Sequence, residues 1–91
     1  MEQYDEGYLK SVQNRVESIR DKALQRARRI VPQAQFAIDR RTYDEYCESV
    51  WDYPGQWYVS FRLPKGFRSE TELIESIERD TIAYYQSVRQ S

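Results

Sequence analysis

The residue pattern predicts an α+β fold of two layers in the order α-β-α-β-α. Three helices pack on a small two-stranded sheet, which a second copy of the chain could complete. Three observations predict it. Apolar residues recur every three or four positions through a long opening segment. They alternate over residues 56–63. Two capping-box sequences, Thr42 to Glu45 and Ser69 to Glu72, have the spacing that opens helices. Ninety-one residues make one domain, 1–91, whose first six residues lack a pattern and are expected to fray.

The first helix is expected over residues 7–31. Leu9, Val12, Val16, Ile19, Ala23, Ala27 and Ile30 form its apolar stripe, with Leu24 beside them, and Pro32 stops it. Residues 33–39 then read as a short half-buried strand: Ala34, Phe36 and Ile38 face one way, Gln33, Gln35 and Asp39 the other. After Thr42, the residues Tyr43, Tyr46, Cys47, Val50 and Trp51 fall at helical spacing, opposite Asp44, Glu45 and Glu48. That spacing predicts a middle helix ending near Asp52, with Cys47 a buried, inert thiol on its apolar arc. Pro54-Gly55 makes a turn.

Residues 56–63 are the cleanest strand, with Trp57, Val59, Phe61 and Leu63 on one face and Tyr58, Ser60 and Arg62 on the other. The last helix follows Ser69 and runs to about Gln90. Leu73, Ile74, Ile77, Thr81, Tyr84, Tyr85 and Val88 form its apolar arc, and Ile82 falls outside it, at an exposed position. A connection of about sixteen residues allows a right-handed parallel crossover between the strands, while their alternation favours antiparallel pairing; the pattern leaves both open. Two strands are marginal alone, so the free edge is expected to be covered by helices or to pair with another chain.

Composition excludes several classes of function. The 14 basic and 15 acidic residues nearly cancel, which removes the general charge argument for a nucleic-acid or membrane partner. The chain has no histidine, so histidine acid–base chemistry is excluded and little remains to hold zinc or iron. Its one cysteine makes no internal disulfide. No apolar run reaches membrane-spanning length and no signal peptide is visible, so a cytoplasmic location is expected. No motif names a cofactor, a metal or a set of catalytic residues.

The informative feature is aromatic. Seven of the thirteen aromatic residues lie between Tyr43 and Phe61, more than a small core needs. The function expected from this surplus is a non-enzymatic protein-interaction module, a small regulator, inhibitor or accessory subunit. Tyr53, Trp57, Tyr58 and Arg62 form its protein-binding surface, with Trp57 anchored in the core and Tyr53 and Tyr58 outside. A homodimer is a second expectation, through the shared sheet edge or through basic and acidic faces that complement each other.

The alternative is nucleic-acid or nucleotide binding. Lys10 through Ile38 holds seven basic and two acidic residues, and Arg15, Lys22, Arg26 and Arg29 share one flank of the opening helix. Lys65 and Arg68, just before the last helix, could hold an anion at its N-terminus. The bland readings are a solvated face whose long stems cover the core, and a cap already satisfied by Ser69 and Glu72.

Overall fold

The computed structural model describes residues 6–52 and 55–90. Helix α1 spans Glu6–Ala27, strand β1 Cys47–Asp52, strand β2 Gln56–Phe61 and helix α2 Glu70–Gln90. The order is therefore α-β-β-α, with two helices and one antiparallel hairpin in place of α-β-α-β-α with three helices.

The two long helices form, but α1 ends at Ala27, four residues short of the expected end at 31. Val12, Val16, Ile19, Ala23 and Ala27 of α1 are buried at alternating steps of four, three, four and four. The first four meet Leu73, Ile74 and Ile77 of α2. The helices run in the same direction, because successive cross-links climb both of them. Arg15 and Lys22 reach Glu70 at 3.0 and 3.8 Å, and Arg26 reaches Glu78 at 3.0 Å. Ala27 then packs with Ile82 and Tyr85 around Val31 and Ala34. Ile82 is therefore half-buried, and Ile30, just beyond the end of α1, is exposed. The start of α2 keeps its cap: Ser69 Oγ accepts the Glu72 N–H at 3.2 Å, and the Glu72 carboxylate accepts the Arg68 N–H at 3.2 Å.

The expected strand at 33–39 is not a strand. This segment runs back along the two helices, and side chains rather than a neighbouring strand satisfy its backbone. Tyr85 Oη accepts the N–H groups of Gln35 and Phe36 at 3.2 and 3.3 Å, and Thr81 Oγ1 accepts that of Ile38 at 2.8 Å. Arg28 donates to the Ala34 carbonyl at 2.7 Å. The alternation reflects contact with helices on one side, and period two alone cannot say what lies there.

The expected middle helix is also overturned. The capping box is real, with the Thr42 N–H donating to the Glu45 carboxylate at 3.0 Å, but it opens a single 3-10 turn over Tyr43–Tyr46. The chain then straightens into β1. Residues 47–52 pair in order with 61–56, from Cys47 opposite Phe61 to Asp52 opposite Gln56. Gly55, with φ of 127°, supplies the left-handed turn residue between the strands. A hairpin that pairs two β-prone stretches, Val50-Trp51 and Trp57 to Phe61, outcompetes one helical turn of local preference. It also settles the pairing as antiparallel, with no helical crossover. Cys47 accordingly lies half-buried on a strand, packed against the core.

One buried carboxylate fastens these parts. The Asp39 side chain is 1% exposed. Its Oδ2 accepts from Arg20 Nε of α1 at 3.1 Å and from the Tyr46 hydroxyl. Its Oδ1 accepts from the Arg41 guanidinium at 2.9 Å and from the Arg41 backbone N–H at 3.2 Å. Burial pushes this carboxyl upward, but the bonds from Tyr46, Arg41 and Arg20 outweigh it, and its pKa lies below the ordinary carboxylate value. The Tyr46 hydroxyl is shifted the other way, upward, by burial and by Asp39.

Two predictions follow from this packing. Asp39→Asn should destabilise the chain by about 3 kcal/mol, because two guanidinium groups lose their shared partner. The unfolded chain binds its proton at Asp39 first as pH falls, since its carboxyl titrates near pH 4, above the folded value. The contribution of Asp39 is then complete above about pH 5 and fades below about pH 4. Urea midpoints of wild type and Asp39→Asn should therefore differ at neutral pH and converge in acid. A gap that persists unchanged at pH 3 would refute the assignment. Separately, Thr81→Val leaves the Ile38 N–H unpaired and should cost about 1–3 kcal/mol by the same assay.

Candidate protein-interaction surface

The hairpin extends from the core along the N-terminal half of α1. Val59 is buried with Val12 and Val16, and Phe61 packs against the same cluster. The Arg62 N–H donates to the Tyr46 carbonyl at 2.8 Å, continuing the ladder one step beyond the strands. That bond fixes its phase. Pairs 46/62, 48/60 and 50/58 are hydrogen-bonded, whereas 47/61, 49/59 and 51/57 are the close, non-hydrogen-bonded pairs.

Trp51 and Trp57 therefore occupy a close pair on one face of the hairpin. Their ring centroids are 5.0 Å apart with planes tilted by 58°. They are 54% and 53% exposed. The Trp51 ring lies over Gly55. Trp57 is thus not the core anchor its alternation predicts. The face it shares with Val59 and Phe61 runs past the end of the core, and only the inner part of that face is covered.

The opposite face carries a second aromatic contact. Tyr58 stacks on Tyr8 of α1 at 4.6 Å. Below this stack, Ser11, Arg15, Ser60 and Phe61 help to line a cleft of about 550 Å³ between α1 and β2. The Arg15 guanidinium sits 4.6 Å from the centre of the Phe61 ring.

The sequence-derived candidates fall into three groups. Trp57 and Tyr58 are brought together on the hairpin, and Arg62 is exposed at its exit. Tyr53 lies outside the described residues. Arg15, Lys22 and Arg26 of the basic ridge are engaged by Glu70, Glu75 and Glu78 of α2. Arg29 lies past the end of α1, and Arg29, Lys65 and Arg68 are exposed and make no ion pair among the described residues. The basic and acidic faces thus complement each other within one chain, which removes the charge argument for self-association. Those surface pairs are worth little individually, between about 0 and 1 kcal/mol.

Sequence reasoning missed the pairing of Trp51 with Trp57 and the part played by Tyr8. The register would have revealed the first: a Pro-Gly turn flanked symmetrically by tryptophans is the signal. Nothing in the sequence ties Tyr8 to Tyr58.

Two further observations bear on chemistry. Burial, and then Asp44, push the Cys47 thiol above its ordinary pKa, so the thiol form is favoured. Among the described residues, no group of three or more carboxylate or cysteine side chains is placed to hold a metal ion. Among the same residues no helix is long and apolar enough to cross a membrane. Comparison with protein-family models, curated proteins and solved structures gave no match.

Because both indoles already sit half in water, Trp51→Ala or Trp57→Ala should lower stability by less than the roughly 3–5 kcal/mol that truncating a core tryptophan costs. Either change should abolish the far-UV circular-dichroism couplet of two adjacent indoles. Global unfolding by either change would mean that the pair belongs to the core.

Proposed function

We propose that this chain is a non-enzymatic protein-interaction module, a small regulator, inhibitor or accessory subunit of a reducing, cytoplasmic compartment. It binds its partner through the aromatic hairpin. The observation that carries this reading is the Trp51–Trp57 pair, two large rings held against each other and left half exposed. Tryptophan is enriched among residues that dominate binding energy. A ring fixed before the encounter loses little entropy on binding. Tyr58, backed by Tyr8, extends the surface around the strand, and Arg62 adds a charged, exposed group at its exit.

The alternative, nucleic-acid or nucleotide binding through the first helix, has weaker support. Three of its four ridge residues already face carboxylates of α2, so the local field is largely cancelled. Arg29 makes no ion pair among the described residues.

The test is partner capture by immobilised protein, comparing wild type with Trp51→Ala/Trp57→Ala and with Tyr58→Ala. The double variant should lose at least about thirtyfold in affinity, the effect of a 2 kcal/mol hot spot, while its far-UV spectrum outside the couplet keeps its helical shape. Undiminished capture by the folded double variant would remove the reading. A bound species that dissociates steeply with salt and carries absorbance at 260 nm would instead favour the ridge.

A further inference from the structure

The cleft between α1 and β2 lies against the edge of a strand. Its β2 wall is Tyr58, Val59, Ser60 and Phe61, a consecutive run. Successive side chains of a strand point to opposite faces, so a cleft touched by the whole run follows the edge and not one face. The other edge of β2 is occupied by β1. The helix wall includes Tyr8, Ser11, Val12 and Arg15, which share one face of α1 over two turns. From Tyr8 to Arg15 the helix rises about 10 Å, and from Tyr58 to Phe61 the strand rises about as much, so the two walls match in length.

What such an edge lacks is a backbone beside it. Phe61 and Val59 stand opposite Cys47 and Ser49 in non-hydrogen-bonded pairs, so their own N–H and C=O groups point away from β1, toward the cleft. Among the described residues neither N–H donates to a backbone carbonyl outside the ladder. These groups repeat every second residue, roughly 7 Å apart, which is the spacing an extended polypeptide satisfies. The outer edge of β1 is less open, because the Cys47 N–H already donates to the Asp44 carbonyl. A folded second copy fits the cleft poorly, since it offers its own β2 edge only with α1 alongside. The occupant that the walls admit is a single extended segment.

We propose that the cleft takes an extended segment of the partner protein, added to the edge of β2 as a third strand. The inference rests on the reading of this chain as a protein-interaction module and names the form of what it binds. Two alternate residues of the segment make backbone hydrogen bonds to Val59 and Phe61. The side chain opposite Val59 falls beside Val12 and is apolar. The Tyr8–Tyr58 stack stands at one end of the groove, and the Arg15 guanidinium over the Phe61 ring at the other. The added strand gives the hairpin the third member that a stable sheet needs.

Linear peptides selected from a random phage-displayed library on the immobilised full chain supply the probe. The selected peptide should lose about tenfold in affinity when N-methylated at either of two alternate positions, and little at the position between them. Ser11→Trp, at an exposed position on the helix wall, fills the cleft and should weaken the peptide by more than about tenfold with the fold kept. Asn14→Trp, also exposed on that wall, serves if Ser11→Trp fails to fold. Trp51→Ala, outside the cleft, should leave peptide binding unchanged. Failure to select any linear peptide overturns strand addition, and so does a peptide indifferent to N-methylation or to the cleft-filling variants. A peptide lost in Trp51→Ala but kept in Ser11→Trp would place binding on the indoles and overturn it equally. A dimer of the chain that Ser11→Trp breaks would make a second copy the occupant and overturn the partner segment. Partner capture that needs the tryptophans yet survives Ser11→Trp overturns strand addition alone and leaves the protein-interaction reading standing.

Discussion

The fold depends on the buried carboxylate of Asp39. A carboxylate taken out of water is tolerated only where charge and hydrogen bonds replace its hydration. Here Arg20, Arg41 and Tyr46 do so, and each arrives from a different part of the chain. Arg20 brings α1, Tyr46 brings the 3-10 turn that launches the hairpin, and Arg41 continues to α2 through Ser76 and the Phe67 ring. The Tyr46 ring is itself fully buried. One carboxylate thus fixes where the return segment lies, where the hairpin starts and how α2 approaches. A two-stranded ribbon cannot stand alone, and this anchoring is what holds it in place.

The charges of the two helices play a different part. Arg15, Lys22 and Arg26 on α1 meet Glu70, Glu75 and Glu78 on α2 along one seam. These pairs are solvent-exposed and add little stability, but they disfavour any rotation of α2 that would bring like charges together. They also change how the composition reads. A helix segment with a local excess of positive charge loses that character once an acidic helix lies beside it. Net charge counted along a sequence cannot show this pairing, because its partners are about fifty residues apart.

The elements held by their own sequence were legible. The stripe from Val12 to Ala27, the box at Ser69 to Glu72 and the alternation of β2 each state a local preference that the fold keeps. The segments that failed are those whose shape is set from outside. Residues 33–39 are extended, but Thr81 and Tyr85 supply their hydrogen bonds, and no rule of periodicity separates that from a strand. At 43–52 two local signals conflict, the capping box and the Pro-Gly turn signal that follows in the sequence, and the strand wins because β2 pairs alongside it. The surface was legible in part. Aromatic excess pointed to the hairpin, yet the sequence placed Trp57 in the core, since alternation gives the face of a side chain but not how far the core extends along the strand. Asp39 was read as an outward polar residue for the same reason: spacing cannot reveal that two arginines converge on it.

The extended shape links these findings. The Cα radius of gyration is 15.8 Å, against about 12 Å for a compact chain of this length. Two parallel helices with a hairpin at one end and an aromatic cluster at the other leave apolar rings uncovered at both ends. Neither set of rings can reach the other, because α1 lies between them: the nineteen steps from Tyr8 to Ala27 rise by about 28 Å. A compact arrangement would need the hairpin to fold back over the helices, and the Asp39 anchor together with the Tyr8–Tyr58 stack directs it the other way. The constraint that makes the hairpin stable is therefore the same one that keeps its tryptophans in solvent.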